Sequence, residues 1–317
     1  WYIEDQWGND VCNPIGLTVI IPLDPGESYY SNWSQKDNDE IQVPLGYYYA
    51  CYDSATKSGF WISYTEPTGP VHNLDQNTYY TTIQAAVDDA NEGDMIFVQS
   101  GTYHENVIID KTLDLVGEGQ DTTIIDGGGV GTTVNVTANW TNITGFAIRN
   151  SGPNFEDAGI KLYYVANCRI EWVECTENEN GIISFHSEHI SIHNTTCSFN
   201  DKHGISVRYS NDCTFGYNVC NSNTDDGLSL GDSTYCSIMY SSFSGNGYSG
   251  IETYRSTNCS IAGNVINNTN WGINLELYDG YFSFDNNTIH CCQQGISLSS
   301  THTGLGHNIL SLSLIHI

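Results

Sequence analysis

Apolar and polar positions recur through most of this chain with a spacing of 22 or 23 residues. A glycine followed by Ile or Leu stands at Gly159, Gly181, Gly204, Gly227, Gly250, Gly272 and Gly295. Eleven residues after the glycine come Ile170, Ile192, Phe215, Ile238 and Ile261; sixteen after it come Cys175, Cys197, Cys220, Phe243 and Ile266. A polar column nineteen residues after it, Asn178, Asn200, Asn223 and Asn246, keeps the same register. Self-similarity at this period marks a solenoid, whose units bury their apolar faces only against neighbours. Each unit holds three short apolar segments and three turns, with no helical period inside it. That predicts three strands per coil, stacked in parallel, with the Asn column forming a ladder of amides along one turn.

Upstream the pattern changes twice. Ile83, Ala86, Val87 and Ala90 fall on one helical face, which predicts a short amphipathic helix over 82–91. Short strands follow it, "MIFV", "NVII", "LDLVG" and "TTIID", separated by Gly or Asn turns. Before the helix, "TEPTGPVHNLDQ" reads as a Pro/Gly linker. The first 67 residues show strand and turn patterns only: "LTVIIPLDPGES", Leu17 to Ser28, and "VPLGYYYACYD", Val43 to Asp53. The fold class predicted is all-β: a partial β-sandwich over 1–67, a linker over 68–81, and a helix-capped, three-sided parallel β-helix over 82–311.

Two resemblances extend this reading. "GDMIFVQSGTYHENV", "LVGEGQDTTIIDG" and the Gly-Ile repeats resemble the right-handed parallel β-helix of the pectin-lyase-like class. Within it they are most similar to the repeats of archaeal cell-surface proteins and of the NosD-type periplasmic family. That scaffold hosts lyases, hydrolases, epimerases, adhesins and accessory proteins, so it implies a fold and not an activity. "YSNWSQKDNDEIQVPLGYYY" resembles immunoglobulin-like domains of the proteinase-inhibitor and flagellar-hook-cap type, which implies a spacer or adhesion module.

Composition narrows the partners. Nine basic against 37 acidic residues give a net charge of −28, which argues against nucleic acid, where binding rests on Lys and Arg. No run of 18 apolar residues is present to span a membrane. The chain opens at Trp1, and its last six residues, "LSLIHI", resemble the translated end of a sequencing-library transposon. It is therefore read as an internal piece of a longer protein, with 312–317 a foreign tail expected to lack a coil-like pattern. Eight Asn-x-Ser/Thr sequons, among them Asn32, Asn135 and Asn194, fit a glycosylated surface protein. Seven of eleven cysteines fall in two columns, Cys168, Cys213, Cys236, Cys259 and Cys175, Cys197, Cys220, expected to point inward as reduced core filler. Cys12 and Cys51 form a bridge if the protein is exported, or are buried thiols. Cys291 and Cys292 stand where earlier coils have Asn, a change the repeat does not explain.

Candidate chemistry sits at "DKHG" and "TDDG". His203 precedes Gly204 as Asp226 precedes Gly227, so Asp201, His203, Asp225 and Asp226 lie on adjacent coils, where two carboxylates and an imidazole suit acid–base cleavage of a glycosidic bond. "NTDDG" and "KHGIS" also resemble motifs of polygalacturonase-type β-helix hydrolases, although the family's order is reversed and its Arg-Ile-Lys motif is missing. Constant coil lengths from Gly181 to Gly295 place these four side chains on an open, solvated turn, with the looser segment 149–160 two coils away. A second candidate is the outer surface of the strand after each glycine, where Lys161, Tyr163, Arg208, Glu252, Tyr254, Arg255 and Glu276 suit sugars.

These features favour an extracellular or cell-surface protein, with a periplasmic location also open. It would bind polysaccharide or a cell-envelope glycan without catalysis of its own. The first alternative is a glycoside hydrolase or polysaccharide lyase using Asp225, Asp226, His203 and Asp201. The second is a NosD-like periplasmic accessory protein. No metal site or cofactor is expected for the binding reading, whereas a lyase would want Ca²⁺ with Arg or Lys as base, roles open to Asp225, Asp226 and Arg208. With two Met and no clustered His motif, copper handling has little support in the sequence.

Overall fold

The computed structural model describes residues 69–276, 280–298 and 308–309 with their side chains, together with the backbone of seven further strands. The chain divides into two compact units, Trp1–Pro67 and Thr68–Ile317.

In the first unit four strands form an antiparallel sheet in the order Asp10–Cys12, Tyr2–Asp5, Gly46–Asp53, Thr56–Ile62. The strand expected within 17–28 lies outside the described residues. Cys12 is paired with Ile3 and Cys51 with Tyr2, on opposite sides of the same strand. The Cys12 and Cys51 side chains lie outside the described residues.

The second unit is a parallel β-solenoid. It opens with a hairpin, Val71–Asn73 and Thr78–Tyr80, and one short helix, Ile83–Asp89, which buries Ile83, Ala86 and Val87 as its periodicity predicts. Thr82 caps its start by accepting from the Ala85 amide, and Glu105 accepts from the amides of Ile83 and Gln84. The Lys111 ammonium meets the carbonyls of Val87, Asp88 and Ala90 at the other end, so both helix ends are satisfied from the first coil. Strands then stack coil upon coil into three faces. The first face runs from Asp94–Val98 through Arg169–Glu171 and Ser237–Met239, and the second from Gly101–His104 through Glu174–Thr176 to Thr288–His290. The third holds ten strands, among them Ala158–Tyr163, Asn180–Phe185, Ile205–Arg208, Leu228–Gly231, Ser249–Tyr254 and Trp271–Leu275.

The glycine column marks the start of this third face. A Cβ on Gly181 would stand 2.4 Å from the Gly204 carbonyl oxygen, and one on Gly204 2.6 Å from that of Gly227. Coils stack backbone on backbone there, which is why the position repeats as glycine. The residue before the glycine starts the face; the two after it alternate inward and outward. Thus Ile160, Ile182, Ile205, Leu228, Ile251 and Ile273 pair in register and are fully buried.

Corners between faces are held by polar ladders. Asn200 donates to the carbonyl of Cys175 and the side chain of Asn223, and Asn223 to the carbonyl of Cys197 and the side chain of Asn246. Each side-chain oxygen also accepts the backbone amide of the Asn one coil back. This is the predicted ladder. Two more run along the other corners, Asn218, Ser241, Asn264, Asn287 and Ser187, Ser210, Ser233, Ser256. Cys292 continues the first ladder as a thiol beside the Thr269 hydroxyl, and Cys291 occupies the left-handed corner position (φ 52°) that Asn150 and Asn268 fill elsewhere.

The seven column cysteines are buried and form no disulfide among the described residues, as expected. Burial pushes the thiols of Cys168 and Cys197 up, which keeps them neutral. At the far end, Leu314–His316 pairs in parallel with Gln294–Leu298. The expectation that 312–317 would lack a coil-like pattern therefore does not hold at the backbone level.

Candidate functional site

The two chemical candidates of the sequence meet on the outer surface of the third face. Residues before the glycine column point outward there: Asn180, His203, Asp226 and Ser249 succeed one another on four coils. Three residues further along the strand lie Lys161, Ile183, Ser206, Ser229 and Glu252, and two beyond those Tyr163, Phe185, Arg208, Gly231 and Tyr254. Gly231 leaves room for the Tyr254 ring, which a Cβ would meet at 2.2 Å.

The open turn expected for "DKHG" and "TDDG" is found only in part. Asp201 is exposed on the corner and stands outside the cluster, and Asp225 is half-buried with its side chain 45% exposed. His203 and Asp226 are 6% and 1% exposed. Both lie two residues before their strands, Ile205–Arg208 and Leu228–Gly231, at the turn expected for them, and neighbouring coils enclose them there. The His203 imidazole lies between two carboxylates, with Nδ1 3.2 Å from Asp226 Oδ2 and Nε2 3.9 Å from Asp225 Oδ2. The angles at the shorter contact do not make it a hydrogen bond, and both atoms are left without a partner. Asp226 Oδ1 accepts the Ser249 amide at 2.9 Å, which fixes the carboxylate.

Five buried side-chain polar atoms lack a partner among the described residues: His203 Nδ1, Asp226 Oδ2, Ser249 Oγ, Gln294 Oε1 and Arg208 Nε. All five sit on this one face. Each such atom costs roughly 1–3 kcal/mol, so a solenoid that satisfies its other corners keeps a localized deficit here. Beside it, Glu252 is pushed up to about 8, first by burial and then by the charge of Asp226, with Glu276 and Asp225 adding to it. At pH 7 its carboxyl is therefore mostly protonated.

A wall closes one side. The segment 149–157 carries Phe155 over the third face, contrary to the expectation that it lies too far from His203. The coil ending at Ile160 is 26 residues long, from Val134, against 22 for the next, and that surplus supplies the reach. Lys202 Nζ lies 3.6 Å from the Phe155 ring centroid and Arg208 Cζ 5.4 Å from it. Beneath is a shallow depression of about 40 Å³, open to solvent and lined by Phe155, Glu156, Lys161, Asn180, Phe185, His203, Ser206 and Arg208 among others. Lys161 pairs with Glu156 at 3.0 Å on the same segment, and Tyr163 stacks on Phe185 at 5.7 Å.

Of the residues named from sequence, Lys161, Arg208 and His203 line the depression. Asp226, Glu252 and Tyr254 continue the same face, with Tyr254 5.7 Å from the Arg208 guanidinium. Glu276 follows the next strand, and Arg255 turns away at the corner to pair with Asp232 at 2.9 Å. Phe155, Phe185 and Asn180 were missed. The surplus coil length was the signal for Phe155; nothing in the sequence set Phe185 apart from the inward apolar residues.

Stacked coils of this kind define a parallel β-helix of the polysaccharide-lyase-like fold. The structure resembles alginate lyase from Paenibacillus sp. str. FPU-7, with a TM-score of 0.62 at 15% identity over 74% of this chain and 93% of that one. It also resembles the N-terminal fragment of bacteriophage Phi29 gene product 12, with a TM-score of 0.60 at 14% identity over 71% and 54%. The catalytic domain of a GH87 alpha-1,3-glucanase gives 0.50 at 12% identity over 80% and 66%. At these identities the likeness is one of fold. No curated protein sequence matches the chain. The family model described as periplasmic copper-binding protein (NosD) matches residues 135–311, more than half of the 317, and the chain belongs to that family.

Proposed function

We propose that this protein binds an anionic polysaccharide in the groove under Phe155, outside the cytoplasm, as a periplasmic or cell-surface component. One observation carries the reading. In a chain of net charge −28, with only nine basic residues, Lys202 and Arg208 face one exposed aromatic ring, Phe155, and Lys161 lines the same depression. Arg208 has no carboxylate partner among the described residues, and its Nε is buried with its hydrogen unused. An anionic sugar supplies what is missing: a carboxylate or sulfate for the guanidinium and an apolar ring face for Phe155. Neutral donors and acceptors at Asn180 and Ser206 suit its hydroxyl groups. The neighbouring folds whose names mention alginate and glucan agree with a glycan ligand in general terms.

A second reading, cleavage of the bound chain, is favoured by the buried His203–Asp226 pair. Neutral residues, Asn180 and Ser249, fill the same column on adjacent coils, so the scaffold does not require charge there. An imidazole and carboxylates beside a bound ring are the groups that acid–base cleavage needs.

Copper as Cu(I) fits the described side chains poorly. His203, Asp225 and Asp226 offer one nitrogen and two oxygens, and no Cys or Met belongs to that group. The column thiols that would suit Cu(I) point into the core.

The test is incubation with acidic and neutral polysaccharides, reading both retention and chain length. Binding of acidic chains that Arg208→Gln weakens supports the groove; equal binding by that variant contradicts it. Shortening that stops in Asp225→Asn/Asp226→Asn, with binding retained, establishes cleavage.

A further inference from the structure

We infer that His203, Asp225 and Asp226 form a binding site for one divalent cation of the Zn²⁺ or Mn²⁺ kind. The inference is independent of what the groove binds. One donor atom from each residue can be chosen so that all three lie within 4.8 Å of one another. Acidic clusters are common in a chain this acidic, so proximity alone says little. Two further facts set this one apart.

The first is the state of the donors. His203 Nδ1 and Asp226 Oδ2 are buried, 3.2 Å apart, and neither has a hydrogen-bond partner. A protein can bury a carboxylate and an imidazole side by side most cheaply by hydrogen-bonding them, and here the angles fail. Two ligands of one metal need no hydrogen between them. With metal–ligand bonds of about 2.0–2.2 Å, donors at right angles to tetrahedral angles stand roughly 3–3.5 Å apart. The observed separation falls in that range.

The second is the setting. The Ser249 amide holds Asp226 by its other oxygen, which leaves Oδ2 aimed at His203. Asp225 is half exposed, so an ion has a way in and water can complete its coordination. His203 and Asp226 are buried just before stacked strands, Ile205–Arg208 and Leu228–Gly231, and the Gly204 amide donates to the Asp226 carbonyl at 3.0 Å, which ties the two positions together. Mixed imidazole and carboxylate donors suit Zn²⁺ and Mn²⁺; an all-oxygen set would suit Ca²⁺ better, and thiolates Cu(I).

The experiment uses the full chain, stripped of metal with chelator and titrated calorimetrically with ZnCl₂ and, separately, MnCl₂ and CaCl₂. One equivalent of Zn²⁺ or Mn²⁺ should bind, and His203→Gln and Asp226→Asn should each weaken it at least tenfold. Asp212→Asn, an exposed carboxylate elsewhere on the solenoid, should leave it unchanged. Thermal melts give a second readout that does not need activity: the ion should raise the wild-type midpoint and not that of Asp226→Asn. Equal binding by wild type and Asp226→Asn would overturn the site. Binding of Ca²⁺ with neither Zn²⁺ nor Mn²⁺ would overturn the role of His203. Failure of Asp226→Asn to fold would leave His203→Gln, whose side chain keeps the volume and loses the ligand, to decide the matter.

Discussion

Asn223 and Asp226 are three residues apart, both buried, and in opposite condition. The Asn223 side chain donates to a carbonyl and to the next Asn and accepts a backbone amide, so its polar atoms are used. Asp226 keeps one oxygen unpartnered against an equally unpartnered imidazole nitrogen. The first is what a buried polar group looks like when it holds a structure together. The second adds cost, and the scaffold shows, with Asn180 and Ser249 in the same column, that it can do without it. Buried polarity in this molecule therefore has two meanings, separated by whether its hydrogen bonds are closed.

The largest effect that could break this contrast lies in the ladder. Asn223→Ala leaves the Asn200 amide and the Cys197 carbonyl unpaired, at roughly 1–3 kcal/mol each, and should destabilise the solenoid by about 4 kcal/mol in denaturant unfolding. Because coils support only their neighbours, the loss should appear first around the coils carrying Asn200 and Asn246. Hydrogen exchange measured strand by strand checks this. Asp226→Asn should go the other way. In metal-free protein it removes a buried carboxylate whose Oδ2 has no hydrogen-bond partner and should leave stability unchanged or raise it by about 1–2 kcal/mol. A loss of 3 kcal/mol or more there would place Asp226 with the structural amides.

Phe155→Ala tests the wall. Ring contacts of this kind are worth about 0.5–1.5 kcal/mol, so glycan binding should fall up to roughly tenfold while the melting midpoint hardly moves. The smallest effect concerns the thiols. Cys291 is exposed and the other described cysteines are buried, so a thiol reagent on the folded solenoid should label Cys291 quickly and the column cysteines only after unfolding.

Much of the fold was legible because a solenoid writes its geometry as a period. The Gly column, the inward Ile and Cys columns and the Asn ladder all follow from one spacing, and the helix over 82–91 from another. The site was less legible for a local reason. Placing "DKHG" and "TDDG" before their strands was sound, since these begin only at Ile205 and Leu228, but it assumed that a turn residue there is solvated. The close approach of backbones at Gly204 and Gly227 instead lets adjacent coils bury His203 and Asp226 there. The wall was missed because the surplus residues precede the regular repeat, so coil lengths counted from Gly159 onward did not include them.

The central claim is that the third face, alone in a strongly acidic molecule, receives an anionic chain through Arg208. It is tested most directly by calorimetric titration with uronate oligosaccharides of wild type, Arg208→Gln and Arg169→Gln, the last an exposed arginine paired with Glu171 on the first face. The account predicts that Arg208→Gln weakens binding about tenfold or more, that Arg169→Gln matches wild type, and that neutral oligosaccharides bind both arginine variants and wild type alike. Equal losses in the two variants, or none in either, would contradict it.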